Sequence, residues 1–209
     1  MYSARDLVLK RALDVAVSVA GLVAAGPVMA VTAVLIKLSS PGPILFRQQR
    51  IGRYGRSFAL LKFRSMRVGE AGPLVTSGFD HRITPIGRAL RRSKLDELPQ
   101  LLNVARGELS LVGPRPEVAR YVALYAAQDR EFLQRFRPGI TDPATIRFRN
   151  EEEILGRSAD PELAYIEQVL PAKVSMYRSY LEAASFVSDI KVLADTLKVL
   201  VKPSLAGGI

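Results

Sequence analysis

Asp96 and Glu97 are adjacent carboxylates that directly follow a run of cations, Arg88, Arg91, Arg92 and Lys94. Farther along, Pro114-Arg115-Pro116 sets an arginine between two prolines. The prolines restrict its backbone, and a guanidinium held that firmly suits a planar or phosphate partner. Acids beside many cations point to polyphosphate chemistry: the cations hold the anion, and a carboxylate attacks it or binds its metal. The same pattern also fits a helix N-terminus that favours acids in its first turn, with the arginines as solvated surface. Local pattern alone does not choose between the two.

These residues need a frame. Pro99 suits the first turn of a helix that runs through Leu101, Leu102 and Val104 and stops at Gly107. A short apolar run, Leu109 to Val112, then leads into Gly113-Pro114. Upstream, Thr84-Pro85 caps and opens a short helix on which Arg88, Arg91 and Arg92 share a face. Ile44–Arg50 and Ser57–Met66 read as two strands joined by the turn-rich Gly52 to Arg56. Alternation in the second strand puts Lys62 and Arg64 on one face, either a basic wall of a site or a solvated edge. Val68 to Gly78 reads as a mobile loop, and the lone His81 as a surface or loop residue.

Downstream, the sequence predicts a helix over Pro116–Phe136, a rigid turn from Arg137 to Pro143 and a short strand over Thr145–Arg149. Asn150 is expected to cap a helix through Glu151, Glu152 and Glu153. Asp160-Pro161 starts another helix that ends near Leu170-Pro171, and a further one runs over Lys173–Leu181. Phe186, Ile190, Leu193, Leu197 and Leu200 then recur at helical spacing among charges that include Lys202. That last segment suits either the headgroup layer of a membrane or packing on the core. No internal repeat or linker interrupts the chain. The expected class is α+β, mostly helical, with interfacial amphipathic helices and a small antiparallel β element.

Composition narrows the partners. The 209 residues carry a formal net charge of +10 yet are 48% hydrophobic, with mean hydropathy +0.12. A partner both anionic and oily fits better than nucleic acid, because the basic clusters lack the interleaved aromatics of a stacking platform. Cys is absent and His81 is the single histidine. Thiol chemistry and multi-histidine zinc sites are excluded, so any metal is held by oxygen, which favours Mg²⁺ or Mn²⁺. Val15 to Ile36 has no charged side chain and would measure roughly 33 Å as a straight helix, enough to cross a bilayer. Gly26-Pro27 interrupts its middle, and cations flank both ends: Arg5, Lys10 and Arg11 before, Lys37, Arg47 and Arg50 after. A re-entrant helix–break–helix that keeps both flanks on the cytoplasmic face satisfies both facts; a kinked transmembrane helix is the alternative. Residues 1–40 are accordingly read as the membrane hairpin and 41–209 as one catalytic domain.

Six segments lie in order along the chain: Leu9-Lys10-Arg11-Ala12-Leu13-Asp14, Lys62-Phe63-Arg64-Ser65-Met66, Arg82-Ile83-Thr84-Pro85-Ile86-Gly87-Arg88, Leu95-Asp96-Glu97-Leu98-Pro99-Gln100-Leu101, Leu111-Val112-Gly113-Pro114-Arg115-Pro116 and Arg137-Pro138-Gly139-Ile140-Thr141. Together they resemble the bacterial sugar transferases, specifically the small monotopic phosphoglycosyl transferases. The resemblance covers nearly the whole chain, as the catalytic unit without the four-helix extension of larger members. It implies transfer of a phosphosugar from a UDP-sugar to polyprenol phosphate, with UMP released, as a first membrane step of glycan assembly such as exopolysaccharide or lipopolysaccharide synthesis. It further implies Mg²⁺ and a covalent intermediate on Asp96. Glu97 would hold the metal with Asp96 or assist the acceptor. Arg91 would bind phosphate, Arg115 with Pro114 and Pro116 would contact the nucleotide, and Lys62, Arg64 and Arg88 would form the basic wall. The expected setting is one leaflet of the bacterial inner membrane, with the site on the cytosolic face, no nucleic acid partner and room for a homodimer. Two departures stand out. The helix break reads Gly26-Pro27 where the family commonly has Ser-Pro, and Asp142-Pro143-Ala144-Thr145 replaces Gly-Leu-Ala-Gln, which leaves the sugar open. A noncatalytic membrane scaffold with a basic face, and a lipid-phosphate enzyme using metal-activated water, are the competing readings.

Overall fold

The computed structural model describes residues 1–69, 72 and 80–201. Its first element is one helix, α1 (Ala4–Ser39), opened by a capping box between Ser3 and Asp6. Pro27 lies inside it, and the helix continues through the Gly26–Pro27 step. The interruption expected there is thus not present as a gap: proline removes one backbone donor, and helical neighbours on both sides carry the ladder past it.

Both ends of α1 are fastened to the rest of the chain. Near its start, buried Asp14 accepts hydrogen bonds from the Leu111 N–H (2.8 Å) and the Ser110 hydroxyl (3.1 Å). Arg11 donates to the Val104 and Ala105 carbonyls at 2.8 and 2.9 Å, and Lys10 pairs with buried Asp189 at 2.5 Å. At its far end Ile36 packs with Phe63 and Leu90. There the Arg64 guanidinium donates to the carbonyls of Ile36, Ser40 and Pro41. Between the fastenings Val17, Val19, Val23, Val28, Val31 and Val34 are exposed. Among the described residues α1 is the one helix long and apolar enough to cross a membrane.

Strand β1 (Leu45–Ile51) pairs antiparallel with β2 (Ser57–Phe63), Leu45 opposite Phe63 and Ile51 opposite Ser57. The other edge of β2 is met by a side chain. Asn103, fully buried, accepts from the Leu61 N–H at 3.0 Å and donates to the Ala59 carbonyl at 2.9 Å, so one amide stands in for a strand. Helix α2 (Pro85–Ser93) starts as expected, with the Thr84 hydroxyl accepting from the Gly87 N–H at 2.9 Å. Lys94 turns the chain in the left-handed conformation, a 3-10 turn covers Leu95–Glu97, and α3 (Gln100–Arg106) ends at Gly107, φ 82°.

Beyond this point the structure corrects several expectations. Strand β3 (Ser110–Val112) pairs in parallel with β4 (Gly139–Thr141), so the expected turn region supplies a strand and a second, separate two-stranded sheet stands beside the expected antiparallel one. The single helix over Pro116–Phe136 is instead two short ones, α4 (Ala119–Val122) and α5 (Ala127–Leu133). The strand over Thr145–Arg149 is helix α6 (Pro143–Arg147): buried Asp142 caps it, accepting from the Ala144 and Thr145 N–H groups, and Pro143 fits its first turn. Helix α7 (Glu151–Gly156) forms, but without a side-chain cap from Asn150. Helix α8 (Pro161–Ala164) passes through a π turn, Tyr165–Val169, straight into α9 (Leu170–Glu182). Pro171 is therefore a first-turn residue of α9 and not a stop. Helix α10 (Phe186–Val201) packs Val192 and Leu193 on the core with Phe58, Leu60 and Val104, while Val187, Ile190 and Leu197 stay exposed. Most of the loop expected over Val68 to Gly78, and Lys202, lie outside the described residues.

One close approach fixes α2 against the end of β2. A Cβ on Gly87 would lie 1.9 Å from the Ser65 carbonyl oxygen, whereas a Cβ on Gly26 would meet nothing within 4 Å. Gly87→Ala is expected to destabilise the fold by about 1–3 kcal/mol, and Gly26→Ala to cause no loss. Denaturant unfolding of the two variants checks this; equal stabilities would refute it.

Candidate active site

Four segments converge. The 3-10 turn presents Asp96 and Glu97, β2 presents Lys62, the loop after β3 presents Arg115, and α2 presents Arg91. Glu97 Oε1 accepts from Lys62 Nζ at 2.8 Å and from Arg115 Nη2 at 2.5 Å. Burial alone would raise the Glu97 carboxyl, but Arg115 and Lys62 hold it well below the usual carboxylate range. Asp96 differs. It is 5% exposed, and its Oδ1 is buried without a hydrogen-bond partner. Burial pushes its carboxyl above the ordinary value, and Lys62 is the first of the charges opposing that shift. Burial also lowers the Lys62 ammonium, against the pull of Glu97. Two adjacent acids thus hold different states: Glu97 is a neutralised anion, and Asp96 is a desolvated carboxylate with a free oxygen.

Asp96, Lys62, Arg91 and Arg115 all line one cavity of roughly 1320 Å³. Its wall changes character along its length. One part is apolar, with Met29, Ala30 and Ala33 of α1 beside Pro43, Ile44, Leu45 and Phe46. Charged and polar side chains, among them Asp96, Glu117, Tyr165 and Lys173, line it as well. Arg91 reaches it with its Nε on the Ser65 hydroxyl (3.0 Å) and its Nη1 on Glu152 (2.8 Å).

The other residues singled out in the sequence take different places. Arg64 lines the cavity, but its guanidinium is committed to the carbonyls at the end of α1, so it is a structural clip. Arg88 is exposed and does not line this cavity. Pro114 and Pro116 flank a separate void of roughly 40 Å³ behind Arg115, beside the unpartnered Tyr177 hydroxyl. Gly26 and Pro27 lie outside the cavity on exposed α1. Sequence reasoning missed Glu117, Tyr121, Tyr165 and Lys173. Only Glu117 carried a signal, its place next to the Pro-Arg-Pro motif.

A hard cation is the group to test against these ligands. Among the described residues there is no preassembled cluster of three or more acidic, His or Cys groups. Mg²⁺, however, takes one or two carboxylates together with water and substrate phosphate. The orphaned Asp96 Oδ1 and Glu97 Oε2, the latter with only a 3.5 Å contact to Arg115, are the carboxylate oxygens that would meet that demand.

The site thus combines a buried carboxylate, cations held in place around it and a cavity partly lined by apolar side chains of α1. The chain belongs to the bacterial sugar transferase family, whose model matches residues 5–203. It is 39% identical over 195 residues to the UDP-glucose:undecaprenyl-phosphate glucose-1-phosphate transferase of Caulobacter vibrioides, covering 91% of this chain and 69% of that protein. It is 40% identical over 139 residues to a putative undecaprenyl-phosphate N-acetylgalactosaminyl 1-phosphate transferase of Bacillus subtilis, covering 66% of this chain and 78% of that one. The Escherichia coli UDP-glucose:undecaprenyl-phosphate glucose-1-phosphate transferase is 40% identical over 168 residues, but the match covers only 36% of it.

The charge balance yields a direct check. Lys62 opposes the upward shift of Asp96 most among the cations, and Lys94 least. Removing Lys62 (Lys62→Gln) is expected to raise the Asp96 carboxyl further, and Lys94→Gln to move it less. Carboxyl-carbon NMR titration of Asp96 reads both; the reverse order would refute this account of the field.

Proposed function

We propose that the protein transfers a phosphosugar from a UDP-sugar to polyprenol phosphate and releases UMP, by way of a phosphosugar bound covalently to Asp96. The observation that carries this reading is the cavity that is lined both by the apolar flank of α1 and by a desolvated Asp96 whose Oδ1 has no hydrogen-bond partner. A polyprenol phosphate needs both of those walls; a soluble nucleotide needs only the second. The named activities of the relatives agree with it.

In the first step an Asp96 carboxylate oxygen attacks the β-phosphorus. The bond from that phosphorus to the bridging oxygen breaks, and UMP leaves with the electron pair. In the second step a phosphate oxygen of the lipid attacks the same phosphorus, and Asp96 departs as carboxylate. Polyprenyl diphosphate sugar results. No separate base is required, because the nucleophile is already an anion when ionised. Lys62 and Arg115, held in place by Glu97, reduce the charge that an anion must approach, and Arg91 adds a third donor. The fixed backbone of Pro114-Arg115-Pro116 suits Arg115 to the nucleotide's phosphates. Bound Mg²⁺, on Asp96 and Glu97, would supply further neutralisation of the diphosphate.

The setting follows from the fastening of α1. Its two ends dock on one folded body, so an exposed apolar helix that starts and ends on the same side of a bilayer accounts for the contacts, in favour of a re-entrant path over a crossing. The exposed apolar residues of α10 extend the lipid-facing surface. In this reading the active site lies at the cytosolic face of the bacterial inner membrane, in one leaflet.

Asp96→Asn is expected to abolish UMP release, with kcat down by at least about 10³-fold, and to abolish trapping of a labelled phosphosugar on the protein. Release of free sugar phosphate by the wild-type protein, with no adduct, would instead indicate attack by water. The same variant bears on stability, with the sign set by the raised carboxyl of Asp96. An acid shifted upward by folding favours the fold when protonated and loses that contribution as pH rises through its pKa. Ionised Asp96 therefore opposes folding at neutral pH, and Asp96→Asn is expected to melt higher than wild type at pH 7, with the gap closing in acid.

A further inference from the structure

Past Asp96 the cavity continues to a second group of charges that the two phosphoryl steps do not use. Glu117 is 6% exposed; its Oε2 accepts from Arg50 at 3.0 Å and its Oε1 from the Tyr165 hydroxyl at 2.6 Å. Lys173, 4% exposed on α9, pairs with Glu151. Its Nζ lies 5.2 Å from the centre of the Tyr165 ring. Tyr121 packs against Tyr165 with ring centres 5.0 Å apart and planes 53° from parallel. These residues line the same cavity as Asp96.

Buried ions are a poor way to stabilise a fold, since apolar side chains of the same volume often do as well or better. Here the ions face open volume next to the phosphoryl site. Each Glu117 oxygen holds one donor and keeps a lone pair for another. The tilted tyrosines form no flat slot, so a uracil ring has nothing to stack between. A hexose fits: its hydroxyls donate to carboxylates and accept from an ammonium, and such charge-assisted bonds are the strong ones. An N-acetyl substituent fits worse, because its methyl group would lie against an ammonium and carboxylates without partners.

We propose that Glu117 and Lys173 bind the hydroxyls of the donor hexose and set which sugar is accepted, in favour of one with free hydroxyls over an N-acetylhexosamine. This rests on the transferase reading above. Tyr165 and Arg50 act as positioning residues that aim Glu117.

The test uses the full chain in detergent or nanodiscs with undecaprenyl phosphate. UDP-glucose, UDP-N-acetylglucosamine and UDP-N-acetylgalactosamine are compared by kcat/KM for UMP release, and UMP is assayed as a product inhibitor. Wild type is expected to favour UDP-glucose. Lys173→Met and Glu117→Gln are each expected to shrink that preference by roughly 10- to 100-fold, mainly through KM, with UMP inhibition unchanged. Tyr165→Phe keeps the ring and removes only the hydroxyl. It is expected to give a smaller loss in the same direction, and it reads the proposal even if Lys173→Met does not fold. A preference unchanged in folded variants overturns the proposal, as does a wild-type preference for an N-acetylated donor. UMP inhibition that weakens in step with UDP-glucose would assign the cluster to the nucleotide and overturn it too. Wild type that releases UMP from no UDP-sugar would sink the transferase reading itself.

Discussion

Glu97, clamped between Lys62 and Arg115, is the contact from which the rest of the site takes its geometry. It joins three segments far apart in sequence: β2, the 3-10 turn and the loop after β3. Each partner is otherwise held in a way that leaves little slack. Lys62 sits on a strand whose free edge Asn103 occupies, and Arg115 sits between two prolines. The two acids of the pair cannot be treated alike as a result. Glu97 Oε1 takes both cations, whereas its neighbour Asp96 is desolvated with Oδ1 unpartnered. Adjacent residues in a tight turn point in different directions, so an Asp-Glu dipeptide can serve two distinct purposes only when the turn is held as rigidly as this one.

The long apolar helix α1 is tied to this site by ordinary capping chemistry. Arg11 satisfies carbonyls at the end of α3, and Arg64 satisfies those at the end of α1, where the helix would otherwise leave acceptors unmet. Asp14 does the converse job for the N–H of Leu111 at β3. Arg64, expected in the sequence to belong to a basic wall, is therefore mechanical, as are Arg11 and Asp14. Their effect is still functional, because they hold Met29, Ala30 and Ala33 where they form the apolar wall of the cavity that contains Asp96.

What the sequence made legible, and what it did not, divides along range of interaction. Thr84-Pro85, Pro99 with Gly107 and the β1–β2 hairpin were readable because each is decided by neighbours in the chain. The parallel pairing of Ser110–Val112 with Gly139–Thr141 was not, because three-residue strands carry no period and their partner lies beyond two helices. Prolines misled in both directions. Pro171 looked like a helix end and Pro143 like the close of a rigid turn, but both sit in first turns, where a missing N–H matters little, and Pro27 left α1 continuous. In the site, the carboxylate pair and Arg115 were legible from composition and spacing. The roles of Arg64 and of Glu117 and Lys173 were not. A lysine in a helix and a glutamate after a proline look like solvated surface until tertiary packing buries them around a cavity.

Lys62 makes the site's balance a three-body matter. Its ammonium bonds Glu97 and is also the leading cation acting on Asp96, yet burial works against its own charge. An incoming phosphate brings negative charge into the same low-dielectric space, where such interactions are strong. It strengthens the case for a protonated Lys62 and competes with Glu97 for it. Glu97 thus acts as a resident anion that keeps Lys62 and Arg115 charged and aimed while no substrate is present. Without it the two cations would face each other uncompensated in a desolvated pocket, where burial and Arg115 both act against the Lys62 charge.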